Sequence, residues 1–267
     1  MAVAFHLDYV YIISGLAVGL LVGLTGVGGG SLMTPLLTAV FGIPATTAVG
    51  TDLAFAAITK GAGTVIHRIQ KNVNWRIVGL MAAGSLPASV LTTLVLHHLD
   101  IRGAGAHSPM DTFIRWSIAI CVLLTVGVLL FKTRIVNWLN NNPHYQATGK
   151  ALSFYTFAAG VIIGTLVTIS SIGAGAIGAM VLIFLYPDLR SSEIAGSDIA
   201  HAVPLTAVAA IGHFSLGTLD FSLLGALLLG SIPGITIGSY LSRAVPERFL
   251  RGVLATTLTA VAAKLVM

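Results

Sequence analysis

Charge is what this chain has least of: only 9% of its 267 residues are Asp, Glu, Lys or Arg, against about 25% in an average soluble domain. A water-soluble domain needs a solvated surface, so that class is excluded. Aromatic residues make up 7%, and there is one cysteine, Cys121. A lone cysteine excludes an intrachain disulfide, and its place in mid-segment reads as a small buried apolar residue. No histidine spacing matches a metal site, and no nucleophile and base are spaced as a catalytic pair. Neither an enzyme nor a cofactor is therefore expected. The net charge of +5 would point to nucleic acid in a soluble protein. Here it belongs to loops that orient a membrane chain, and no nucleic-acid partner is expected.

What the chain has is apolar sequence, at 56% hydrophobic residues and a mean hydropathy of +0.95. Runs bounded by glycine, proline or charge fall at 9–26, 31–41, 46–66, 76–96 and 113–131, and again at 151–171, 176–186, 193–212, 220–241 and 249–266. Most approach the roughly 18 to 20 residues that cross a bilayer; the second and seventh are too short to do so. The opening segment has no basic stretch and no small-residue cleavage site, so it is kept as the first span.

The two sets of runs are copies. Gly15, Gly19, Gly28 and Gly30 recur 145 residues later as Gly160, Gly164, Gly173 and Gly175, and Gly50-Thr51-Asp52 recurs 146 later as Gly196-Ser197-Asp198. His67 and His213, Gly84-Ser85 and Gly230-Ser231, and Pro87 and Pro233 continue the series. So many paired positions with one single-residue shift indicate an internal repeat. With the N-terminus outside, one face collects Arg68, Lys71, Arg76, Lys132, Arg134, Lys150, Arg190, Arg243, Arg248 and Arg251, and the other only Arg102, Arg115 and Lys264. Lys and Arg gather on the cytoplasmic side, and corresponding loops of the copies then lie on opposite faces. The expectation is an all-α integral membrane protein of two inverted repeats, 1–131 and 151–267, joined by a cytoplasmic linker at 132–150. The region from Asp100 to Asp111 is expected to be an exposed loop.

Between the first two runs stands Leu24-Thr25-Gly26-Val27-Gly28-Gly29-Gly30-Ser31, a cluster that disfavours helix and bares backbone amides. Residues 31–41 reach roughly 16 Å at 1.5 Å per residue, which puts this turn near the membrane midplane. Its copy, Ser170-Ser171-Ile172-Gly173-Ala174-Gly175, arrives from the other side. Broken helices meeting at mid-membrane are how repeat-built transporters form a substrate site. The expected substrate-binding residues are Thr25, Gly28, Gly29, Gly30, Ser31, Thr51, Ser170, Ser171, Gly173, Ala174, Gly175 and Ser197. Amides and hydroxyls suit a desolvated oxyanion, because they donate without holding it too tightly to release.

Four ionisable residues fall inside the apolar segments. Asp52 and Asp198 are equivalent, and either is a functional acid or one capped by Thr51 or Ser197 at a helix start. Lys60, eight residues after Asp52, pairs with that neighbourhood, faces an anion, or snorkels; its copy is Thr206. His201 lies three residues after Asp198, near enough on a helix to couple their protonation. His67 and His213, at segment ends, read as packing or loop hydrogen-bonding groups. The Gly15-x3-Gly19-x3-Gly23 stripe reads as a packing face, and Pro87 and Pro233 as kinks.

With its Gly26-Val27-Gly28-Gly29-Gly30 turn, the following Pro35, the Gly50-Thr51-Asp52 element and the duplication, the chain resembles the TauE/SafE sulfite exporter family of membrane permeases over nearly its full length. The second copy is degraded: Ala174 and Ala176 replace Gly29 and Ser31, and no proline matches Pro35. The resemblance implies transport of sulfite, or of organosulfonates and related sulfur oxyanions, across the bacterial cytoplasmic membrane. The expected partners are a small anionic substrate and membrane lipid, with a homo-oligomer left open.

Overall fold

The computed structural model describes residues 9–25, 30–99, 108–141, 148–241 and 247–266. Ten helices run through them: α1 Tyr9–Thr25, α2 Gly30–Ala39, α3 Ala45–Ile69, α4 Trp75–His98, α5 Pro109–Asn141, α6 Gly149–Ser170, α7 Ala176–Leu185, α8 Ser191–Ser215, α9 Phe221–Leu241 and α10 Glu247–Val266. No strand occurs among the described residues. Five helical stretches among them are long and apolar enough to cross a membrane: Trp75–His98, Pro109–Trp138, Gly149–Ser170, Ser191–Ser215 and Phe221–Gly238. Large apolar side chains such as Ile120, Leu123 and Ile162 stand exposed on the outer helices, a surface that only lipid or another apolar partner would cover. α2 and α7 have 10 residues each, about 15 Å at 1.5 Å per residue, and neither crosses a bilayer.

Packing repeats between the halves. α1 lies along α9, and α4 lies along α6. A Cβ on Gly15 would strike the Leu227 carbonyl, and one on Gly160 would strike that of Met81. In the same way Gly19 meets Ser231 and Gly164 meets Ser85, while Gly230 sits on Ile12 and Gly84 on Phe157. Each contact has its counterpart at the copied positions. The glycine stripe is thus a packing face, where the missing side chain lets two backbones approach.

The helix starts are built twice as well. Asn74, before α4, accepts the Ile77 amide through Oδ1 at 3.4 Å, and Asp220, before α9, accepts those of Ser222 and Leu223 at 2.9 and 3.0 Å. These are side-chain N-caps, which satisfy amides that have no partner within the helix. α3 and α8 pack against each other at the centre. α3 is as long as the spanning helices, yet it carries Asp52, Lys60 and five threonines, and its neighbours shield it.

Two expectations about connections are corrected. Most of 132–150 is helical, so the connection between the halves is not a loop: α5 runs 33 residues to Asn141. No glycine or proline intervenes between Lys132 and Pro143, so nothing in the chain stops the helix sooner. Asp111 is not part of an exposed loop. It is fully buried in the first turn of α5, where Oδ1 accepts the Ala45 amide at 2.6 Å and Oδ2 pairs with Arg115 at 3.1 Å. It ties the start of α3 to α5.

Candidate functional site

The first glycine turn, with Gly28 and Gly29, lies outside the described residues. Thr25 ends α1, and Gly30 and Ser31 open α2. The second turn is in view. α6 ends at Ser170, and Ser171 takes a left-handed conformation with φ 58°. Gly173 and Gly175 follow at φ 127° and 142°, values that glycine adopts readily because it has no Cβ. Ser170 is buried and committed, its hydroxyl donating to the Leu166 carbonyl at 2.7 Å. Ser171 is buried beside Asp52, but its hydroxyl closes no hydrogen bond of ordinary geometry. The Ala174 carbonyl points at α3.

Lys60 is what it points at. Its Nζ donates to the Ala174 oxygen at 2.6 Å, so a side chain of the first half holds the broken backbone of the second. Helical side chains lean toward the N-terminus of their helix, which carries this ammonium back toward the level of Asp52. Asp198, Asp52 and His201 all lie within electrostatic reach of it. All four side chains are buried, Lys60 being 6% exposed and Asp198 3%.

The two aspartates differ in their partners. Asp52 Oδ2 accepts both the Thr34 hydroxyl at 2.5 Å and the Thr34 amide at 3.2 Å. Asp198 has no such donor among the described residues: its Oδ1 lies against Gly178 of α7, where a Cβ would collide with it. His201 Nε2 meets the Ser85 hydroxyl at 2.8 Å, and its Nδ1 is unpartnered. Asp52 Oδ1 is also unpartnered. Buried polar atoms are almost always paired, and here four orphans, from Asp52, Ser171, Asp198 and His201, belong to side chains gathered around one ammonium.

The capping alternative for the acids does not hold. Each stands seven residues inside its helix, beyond the first turn where amides lack partners. Thr51 and Ser197 have other tasks: Thr51 Oγ1 accepts the Asp220 amide at 3.1 Å, and Ser197 Oγ accepts that of Asn74 at 2.9 Å. They fasten the N-caps of α9 and α4. Thr34, which holds Asp52, does not stand out in the sequence, and Ser85, which holds His201, stands out only as the copy of Ser231, since a hydroxyl in an apolar helix gives no signal of its partner. His213 is a structural group, bonded to Thr218 at 2.9 Å and to the Thr168 carbonyl at 2.9 Å. No group of three or more His, Cys, Asp or Glu among the described residues could hold a metal ion.

The family model described as "Sulfite exporter TauE/SafE" matches residues 11–265. The chain belongs to the TauE/SafE family. Among similar proteins of Bacillus subtilis (strain 168), the probable membrane transporter protein YjnA is 37% identical over 255 residues, covering 96% of this chain and 98% of its own length. The probable membrane transporter protein YdhB is 29% identical over 247 residues, covering 90% and 92%. No solved structure matches the chain. Family membership and the apolar helices make this a multi-pass membrane protein of a transporter family. Within that TauE/SafE frame, the buried ionic cluster is the candidate site.

Proposed function

We propose that this protein is a secondary carrier that exports sulfite, or a related small organosulfonate or sulfur oxyanion, with proton coupling. One observation carries the reading: an ammonium, two carboxyls and an imidazole, with four unpartnered polar atoms among them and Ser171, gathered against a broken helix inside a membrane protein. Intramembrane ionisable groups are costly and mark ion pathways. With Lys60 and both carboxyls charged, the cluster holds a net negative charge, which repels an anion strongly where water is scarce. A proton on one carboxyl removes the repulsion, so anion and proton enter together.

The substrate is proposed to sit between residues 25–31 and 170–175, near Lys60 and the Ser171 hydroxyl beside Asp52. The repeated packing supports a further reading, that 1–131 and 151–267 are inverted repeats whose short α2 and α7 meet at the midplane. Radiolabelled sulfite and short sulfonates in proteoliposomes test the function. Saturable sulfite flux that disappears in Gly29→Val is expected; a protein that moves neither substrate, or moves both normally with Gly29→Val, rules the reading out.

A further inference from the structure

We propose that Asp198, and not its copy Asp52, carries the proton, taking it up as a singly charged anion engages Lys60. This rests on reading the cluster as a transport site. The two acids occupy copied positions, and their surroundings are unequal for a reason visible in the sequence. The copy of Thr34 is Ala179, which has no hydroxyl, and its amide is closed onto the Gly175 carbonyl at 2.9 Å. Asp52 keeps two donors on one oxygen, and donors of that kind favour a carboxylate. Asp198 has none among the described residues, and in place of a donor it has the bare Cα of Gly178.

What remains for Asp198 is charge. α3 faces it with Lys60 and, through Lys60, with Asp52. α7 contains no ionisable side chain. α4 contributes Ser85 to His201, its own Arg76, His97 and His98 lying in its end turns. The ionisable residues of α6, Lys150 and Tyr155, are in its first two turns, away from the 170–175 break. On its own helix Asp198 has His201 three residues on, Glu193 at the exposed start and His213 in the last turn, where it is bonded to Thr218 and the Thr168 carbonyl. Lys60 is therefore the only cation that compensates Asp198 among the described residues.

An arriving anion needs the same cation. Lys60 spends one N–H on Ala174 and has two more to give. Once they turn to the anion, Asp198 is left buried without donor or counter-charge, and a neutral acid is the form that such a place accepts. A hydronium ion from the aqueous phase then breaks one O–H bond, leaves water behind and delivers its proton to form the O–H bond on the Asp198 carboxyl. Lys60 keeps all three of its protons, and the cluster's charge is the same before and after.

Infrared difference spectra between acidic and alkaline buffer, on the full-length protein in detergent, read the protonated carboxyl directly and need no substrate. The carbonyl band of a buried carboxylic acid is expected in the wild type, lost in Asp198→Asn and kept in Asp52→Asn. Its absence from the wild type, its loss in both variants, its retention in both, or the reverse assignment overturns the proposal. Should Asp198→Asn fail to fold, Asp198→Glu must shift the band while Asp52→Glu leaves it in place. In proteoliposomes, Asp198→Asn should lose the acceleration of sulfite flux by a pH gradient. If the wild type moves no sulfite while the band follows Asp198, the transport reading fails and the proton site stands. Sulfite flux with a band that ignores Asp198 keeps the transport reading and overturns the proton site.

Discussion

An ammonium in hydrocarbon is expensive unless something nearby shares its charge, and Lys60 has a carbonyl in contact and two carboxyls within electrostatic reach. Lys60→Met takes away the cation and leaves the acids, so the site becomes one that repels anions. Sulfite flux in proteoliposomes should fall to that of protein-free vesicles; flux near wild type would remove Lys60 from the pathway. Thr34→Val makes a different point. It deletes the hydroxyl on Asp52 while keeping the shape of the side chain, and a buried acceptor deprived of its donor costs about 1–3 kcal/mol. Thermal melting in detergent should drop accordingly, whereas the same change at Thr59, whose hydroxyl bonds only to its own helix at Phe55 and Ala56, should melt close to wild type.

Helices of this protein meet backbone to backbone where glycines are paired with carbonyls. Gly15→Ala and Gly160→Ala each drive a methyl into a main-chain oxygen that has no rotamer to escape through. Both should destabilise, by on the order of 1–3 kcal/mol, and to similar extents because the two contacts are copies. Gly79→Ala, which has nothing within 4 Å, should be neutral or stabilising, since alanine suits a helix better. Comparative melting of the three variants checks this, and a Gly79→Ala as damaging as the others would refute the steric account. Much of this level was legible in the sequence: the ten segments, the two short helices and the glycine copies all follow from periodicity and spacing. The extension of α5 through 132–141 was not, because a stretch with Lys132, Arg134 and three asparagines looks like a connector by composition although nothing in it breaks a helix. Of the candidate site, Asp52, Lys60, Asp198 and His201 stood out as charge inside apolar runs. Their partners did not, because pairing Thr34 with Asp52, or Lys60 with a carbonyl 114 residues away, depends on how helices are brought together.

At the scale of the molecule, the proposed inversion of the two halves makes a prediction about sidedness. A cysteine placed at Ser215, just before the α8–α9 connection, should react with an impermeant maleimide from outside, and one at Asn141 only after permeabilisation; labelling of both from the same side would dismiss inversion. The contacts α1 with α9 and α4 with α6 carry a consequence of another kind. During synthesis the first helix leaves the ribosome with a bared strip of backbone, and the helix that will cover it begins only at Phe221, after most of the chain has been made. For that interval the nascent protein has to be held in the insertion machinery or the lipid with its closest-fitting seam open. A chain that stops short of α9 never closes it, so an incomplete product differs from the finished protein in a feature that membrane quality control can recognise.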